Sequence, residues 1–314
     1  MATPRISEEL HFRNTPADCQ ILKGKKSPNS NQNTFHAPKK IIKKRPVMPD
    51  NPITPAAVNV LGSRVHLVTV ADTVDQIERW IADRNAPCRR IIVTGFHGLW
   101  EAHKDASYRA ILNRAELWVP DGIAPVWIAR IRGHHNVRRA PGTEIMNEFF
   151  RRANRQKYSS YFYGDTDATL AKLRYKLSGS SPGHRIAGAF SPPFRPLTSQ
   201  EDQDAIDRIN AARPDVLWVG LGAPRQDRWI HERLPRLKVP VAIGVGAAFS
   251  FIAGTVQRCP EWIGSMGFEW AYRFAKEPKK LWRRDFIDGP RFVFHLGMEL
   301  AGLRKYSERS TNSE

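Results

Sequence analysis

From about Arg64 onward, short apolar runs alternate with stretches of helical periodicity. The runs at 65–70, 90–94, 117–119, 160–163, 185–189, 216–221 and 239–245 predict strands. Helices are predicted at 107–114, 123–131, 143–154, 167–177, 199–212 and 226–234. A further helix is predicted behind a Thr73 cap, with Val74, Ile77, Trp80 and Ile81 on one face. Such alternation specifies an α/β fold: a mostly parallel, Rossmann-like sheet with helices on both faces. Ligands of such sheets bind beyond the carboxyl ends of the strands, so chemistry is sought there.

Four strand ends carry unusual residues. Thr94-Gly95-Phe96-His97-Gly98 reads as a tight turn that brings two polar groups to the mouth. In Pro120-Asp121-Gly122, the aspartate reads either as a turn or N-cap residue or as a carboxylate facing the ligand. Asp165 and Asp167 spell an Asp-x-Asp of the metal-holding kind, but acids at a helix entry are also favoured by its dipole, and no metal is expected. The segment from Gly220 through Gly222 to Arg225, Gln226 and Asp227 lets backbone approach a ligand and offers a cation to a phosphate. Gly244-Val245-Gly246 is a second Gly-x-Gly, but Arg225 and Phe249 stand where a dinucleotide fingerprint needs its third glycine. Zinc-protease, serine-elbow and P-loop signatures are absent from the sequence.

Composition adds a charge and a boundary. The 314 residues carry a formal net charge of +18, which asks for an anionic partner: nucleic acid, anionic lipid or phosphorylated substrate. Cys19, Cys88 and Cys259 form no metal or disulfide pattern, which suits a reducing compartment. Residues 1–58, rich in Asn, Pro, Ser and Lys, read as a disordered basic leader; 59–266 form the core; 267–314 form a basic amphipathic helical C-terminal appendage suited to lying on an interface. With no apolar run of spanning length, a cytoplasmic location is expected.

The order of these motifs resembles the WecG/TagA/CpsF glycosyltransferases, glycosyltransferase family 26. The matching residues are Thr94, Pro120-Asp121-Gly122, Arg139-Ala140-Pro141-Gly142-Thr143-Glu144, Tyr163-Gly164, Gly220 to Asp227, Val245 to Phe249, Ala253-Gly254 with Arg258-Cys259-Pro260, Glu269-Trp270-Ala271-Tyr272-Arg273 and Glu277-Pro278. The resemblance implies an inverting, metal-independent hexosyltransferase without a cofactor. It would move a sugar, often of N-acetylmannosamine type, from a UDP-sugar to an undecaprenyl-diphosphate-linked acceptor for exopolysaccharide or another cell-surface polysaccharide. It also implies Asp121 as the base, Thr94 at the sugar or acceptor, Arg273 and Arg283 at the leaving diphosphate, and Gly164, Gly220, Gly222, Arg225, Gln226, Gly246 and Lys280 at the nucleotide or substrate. The implied partners are the two substrates and an anionic membrane surface on the inner face of the cytoplasmic membrane. Nucleic acid is not among them, and homo-oligomerisation stays open. The chain departs from the family pattern at Phe96, at Ser250, where an acid is usual, and at Lys280, where arginine is common. The alternatives from other classes are a non-catalytic nucleotide-binding scaffold and a basic nucleic-acid-binding protein.

Overall fold

The first helix is set by a reciprocal cap. The Thr69 hydroxyl accepts from the Asp72 amide, and the Asp72 carboxylate accepts from the Thr69 amide. This cap opens α1 (Val70–Ala82) a turn ahead of the predicted Thr73 start; Thr73 lies inside the helix and its hydroxyl donates to the Thr69 carbonyl. The predicted strand at 65–70 is accordingly cut short. Two strands, β1 (Ala57–Val60) and β2 (Ser63–His66), pair as an antiparallel hairpin before the cap. In the computed structural model the described residues are 55–257, 259–260 and 269–306, with the side chains of Glu269, Arg273 and Lys280 outside the description. The leader up to residue 54 also lies outside it.

Six strands form one parallel sheet: β3 (Arg89–Thr94), β4 (Leu117–Pro120), β5 (Ser159–Gly164), β6 (Arg185–Phe190), β7 (Val216–Gly220) and β8 (Val241–Gly244). Their spatial order is β4-β3-β8-β7-β5-β6. Between β3 and β4 run α2 (Phe96–Lys104) and α3 (Ala106–Asn113); between β4 and β5 run α4 (Ile123–Ile131) and α5 (Gly142–Gln156). Then α6 (Asp167–Ser180), α7 (Ser199–Ala212) and α8 (Arg225–Arg233) each link successive strands, and α9 (Ala248–Ala253) follows β8. The α/β fold with a parallel sheet covered on both faces is thus present. The tight turn expected at Gly95 to Gly98 is not: Gly98 lies within α2, where a Cβ would stand 2.1 Å from the Thr94 hydroxyl oxygen. Close packing, and not turning, explains that glycine.

The two-residue period of the strands sorts the core. Ile91, Val93, Val119, Phe162, Trp218 and Ile243 face α1, α5, α6 and α9. On the other side Ile92 and Trp118 meet α2, α3 and α4, while Tyr161, Tyr163, Leu217, Val219 and Ala242 meet α7 and α8. Each large side chain so buried contributes roughly 1.5–3 kcal/mol. The loops leaving β5 and β8 feed helices on the first face, and those leaving β3 and β7 feed helices on the second. In sheets of this kind, loops that diverge over the carboxyl ends are where a ligand crevice forms. The outer edge of β4 is closed where the Trp118 amide donates to His66 Nδ1 at 2.9 Å.

The C-terminal segment is helical, as its pattern predicts: α10 (Glu269–Lys276), α11 (Pro278–Arg283), a π-helical turn (Arg284–Asp288) and α12 (Gly289–Leu300). Phe292 of α12 is buried among Val58, Ile92, Leu99 and Trp100, with Leu296 and Tyr306 packed beside it. The Glu299 carboxylate accepts from the Leu61 amide at 3.1 Å and pairs with Arg132 at 3.2 Å. Trp282, Phe286, Val293, Phe294, Leu300 and Leu303 remain exposed.

Candidate active site

Parallel pairing brings the first two motif residues together. Thr94 ends β3 in register with Pro120 at the end of β4, and the Asp121 amide donates to the Thr94 carbonyl at 3.3 Å. The two loops press so closely that a Cβ on Gly95 would lie 2.4 Å from the Asp121 carbonyl oxygen. Thr94 is buried and Asp121 half-buried. Asp121 is not the N-cap of α4: Gly122 holds that position and no side chain caps the helix, which leaves the turn and ligand-facing readings of Asp121.

The ends of β5 and β7 meet in the same way. Gly164 lies beside Gly220, and the Asp165 amide donates to the Gly220 carbonyl at 3.1 Å. Gly164 has φ +118°, and a Cβ there would sit 2.6 Å from the Gly220 carbonyl oxygen. Both the backbone angle and the contact exclude a side chain, so Gly164→Ala is expected to destabilise the chain by about 2 kcal/mol or more. A urea midpoint within error of the parent would refute that.

Asp165 is tied locally: Oδ1 accepts from the Thr166 amide at 2.8 Å and Oδ2 from the Ser250 hydroxyl at 2.6 Å. Ser250, a departure from the family pattern, therefore joins α9 to the β5 loop. Asp167 is exposed in the first turn of α6, where the helix dipole favours an acid.

Gln226 is buried, and its Oε1 accepts from the Gly222 amide at 3.1 Å and the Gly246 amide at 2.9 Å. One carboxamide oxygen thus joins the loops after β7 and β8, and both glycine amides are already engaged. The neighbouring Arg225 is exposed on the first turn of α8, with its guanidinium donating to the Leu221 carbonyl at 3.0 Å. It is a cation standing at the mouth.

Behind these loops lies a pair that the sequence did not reveal. Asp227 is fully buried, and its Oδ2 accepts from the Tyr108 hydroxyl at 2.6 Å, tying α8 to α3. Its Oδ1 has no hydrogen-bond partner. Burial pushes the Asp227 carboxyl up to about 7, against the opposing help of the Tyr108 hydroxyl. Tyr108 itself is raised above its ordinary value, first by burial and then by the Asp227 charge.

From the C-terminal side, the Arg284 guanidinium lies 5.8 Å over the Phe96 ring and forks onto Asp285 at 2.6 and 3.1 Å. Phe96 makes an edge contact with Phe292 at 5.9 Å. Phe96, a departure from the family pattern, therefore seats the C-terminal helices beside Thr94. Arg283 is exposed next to Arg284. Arg273 and Lys280 lie in α10 and α11. Eight of the predicted residues thus gather at the carboxyl end of the sheet, Thr94 and Asp121 over β3 and β4, and Gly164, Gly220, Gly222, Arg225, Gln226 and Gly246 over β5, β7 and β8, while Arg273, Lys280 and Arg283 lie apart from both groups in the C-terminal helices.

Three relatives bear the name N-acetylglucosaminyldiphosphoundecaprenol N-acetyl-beta-D-mannosaminyltransferase. That of Bacillus spizizenii is 29% identical over 62% of this chain and 73% of its own length. That of Bacillus subtilis is 30% identical over 58% and 69%. That of Staphylococcus aureus strain MW2 is 25% identical over 80% and 96%. The match to the family description covers residues 58–306, from β1 past the end of α12. With its crevice motifs in family order on a parallel α/β sheet, the chain belongs to the glycosyl transferase WecG/TagA/CpsF family and is a glycosyltransferase.

Proposed function

We propose that this enzyme transfers an N-acetylmannosamine-type sugar from a UDP-sugar to an undecaprenyl-diphosphate-linked sugar, with inversion and without a metal, in the assembly of a cell-surface polysaccharide. The observation that carries the reading is the placement of Asp121 beside Thr94 at the paired ends of β3 and β4, on the carboxyl side of the sheet. The names of the relatives support the donor sugar and the lipid-linked acceptor. Asp121 takes the proton of the acceptor hydroxyl as its oxygen attacks C1 of the donor sugar. The C1–O bond to the diphosphate breaks, and UDP departs with the electron pair. Attack opposite the leaving group inverts C1. The diphosphate's growing charge is met by cations at the mouth: Arg225, and Arg283 with Arg284 from the C-terminal helices.

No helix among the described residues is long and apolar enough to cross a membrane. The exposed Trp282, Phe286, Val293 and Phe294, interleaved with Arg283 and Arg291, support peripheral attachment to an anionic bilayer on its cytoplasmic side.

UDP release is to be measured with UDP-N-acetylmannosamine and a lipid-linked N-acetylglucosamine acceptor, with and without EDTA. Turnover that survives chelation is expected. Loss on chelation with recovery in Mn²⁺ or Mg²⁺ would overturn the metal-independent mechanism and return Asp165 and Asp167 to consideration as ligands. UDP at ~100 times its Kd should also raise stability by roughly 2.7 kcal/mol; absence of any thermal shift would speak against nucleotide binding.

A further inference from the structure

The helix that starts at the active-site loop turns an unusual face to solvent. Pro125, Val126, Ile128 and Ala129 of α4 are buried against the core. Its opposite face carries Trp127, 53% exposed, and Ile131, 65% exposed, one turn apart, with the exposed Arg130 between them. A helix packed on one side ordinarily shows water polar residues on the other. Exposed Tyr175 on α6 and Phe194 in the loop after β6 stand singly and ask for no such account.

Charge says what covers this face. Between Asp121 and Glu144 the chain has no acidic residue, but it has Arg130, Arg132, Arg138 and Arg139. Of these, Arg130 and Arg138 are exposed, whereas Arg132 is held by Glu299 and the Asn59 carbonyl. Exposed apolar side chains with a tryptophan among them and exposed arginines in the same segment match the boundary of an anionic bilayer, where indole favours the headgroup level and cations meet lipid phosphates. The face also continues an apolar surface: Arg132 at the end of α4 pairs with Glu299 of α12 at 3.2 Å, next to the exposed Leu300 and Leu303. Nine helical residues span about 13 Å, so the exposed end of α4 lies about that far from Gly122 and the Asp121 loop.

We infer that the Trp127–Ile131 face of α4 is a second membrane contact, which seats the enzyme on anionic lipid so that Asp121, at the other end of the same helix, is presented to a sugar diphosphate rising from the bilayer. This rests on the reading of a lipid-linked acceptor. Attachment through the C-terminal helices alone would leave the orientation of the crevice free to rock; a contact on the helix that carries the acceptor-side loop fixes it.

The test uses the full chain and the double variant Trp127→Ser, Ile131→Ser. Three readouts are needed: flotation with phosphatidylglycerol/phosphatidylcholine vesicles, UDP release with a long-chain lipid-linked acceptor in those vesicles, and UDP release with a short-chain, water-soluble acceptor. The variant is expected to lose about tenfold or more in vesicle binding and in turnover on the vesicle-borne acceptor, with turnover on the soluble acceptor within about twofold of the parent. Unchanged flotation would overturn the inference. A parallel loss on the soluble acceptor would overturn it too, by showing that the face serves the fold or the crevice. A parent that sediments as a dimer, with a variant that sediments as a monomer, would assign the face to a second copy of the chain and likewise overturn it. Flotation requires no turnover, so failure of the proposed transfer reaction and failure of this contact are read separately.

Discussion

Asp121→Asn is expected to lower kcat for sugar transfer by about 10²- to 10⁴-fold, the range that a positioned general base contributes. The asparagine keeps the size of the side chain, and the backbone bond from residue 121 to the Thr94 carbonyl does not involve it. Thermal stability and the thermal shift with UDP should therefore stay close to those of the parent. Gly122 holds the cap of α4, so loss of the carboxylate does not uncap a helix. That separates this aspartate from the many at helix entries whose loss costs stability. A variant with near-parental kcat would remove Asp121 from the mechanism. A variant with a large fall in unfolding midpoint would show the carboxylate to be structural.

The second large effect concerns pH and a residue that touches no substrate in the proposed mechanism. The Asp227 carboxyl is raised by burial from its ordinary value of 3.8 to about 7. Between those values the folded chain holds a proton that the unfolded chain has released. Its contribution to stability is full below about pH 4, falls as pH rises through 7, and is lost above it. Over the whole window this amounts to about 4 kcal/mol. His66, His103 and His184, each held down to about 4 with burial as the leading cause, act in the opposite sense: the folded chain resists protonating them, so their penalty is relieved as pH rises towards 6.5.

The informative comparison is therefore parent against Asp227→Asn at each pH, by urea unfolding. The variant is expected to be the more stable of the two at pH 8, and its advantage should shrink or reverse at pH 5. The asparagine can still accept the Tyr108 hydrogen bond while carrying no charge to desolvate. Identical pH dependence in the two proteins would show that Asp227 does not titrate across this range.

How much of this was legible in the sequence depends on range. Strand ends announced themselves because apolar runs stop at Thr94, Pro120, Gly164 and Gly220, and the bounds of α4 and α7 follow from periodicity alone. The start of α1 differs from the expectation because Thr69 and Thr73 are both plausible caps, each followed three residues on by a side chain that can reach back, Asp72 or Gln76, and only the folded chain selects Thr69. Gly98 looked like a turn residue because a glycine required by a neighbouring side chain has the same letter as one required by a backbone angle. Gln226 was legible as a motif residue, but its bonds to two loops depend on how β7 and β8 pair. The Tyr108–Asp227 pair and the seat of Arg284 over Phe96 join residues far apart in the chain and have no periodic signature. The apolar outer face of α4 was hidden for a different reason: a sequence shows that Trp127 and Ile131 are apolar, and only packing shows that they are left uncovered.

The strand order has a consequence for synthesis. As the polypeptide leaves the ribosome, β3 with β4 and β5 with β6 emerge first, yet these pairs lie at opposite ends of the finished sheet. The strands that bridge them, β7 and β8, are translated last. Until β8 has emerged, the nascent chain holds two disconnected groups of strands, β4-β3 and β7-β5-β6, whose inner edges are open. Both of those edges offer unpaired backbone to any neighbouring chain. Completion of the sheet and completion of the crevice are then a single late event, since the loops after β7 and β8 supply the last glycines to enter it. An interrupted translation product of this gene would accordingly expose two sticky edges and carry no half-working enzyme.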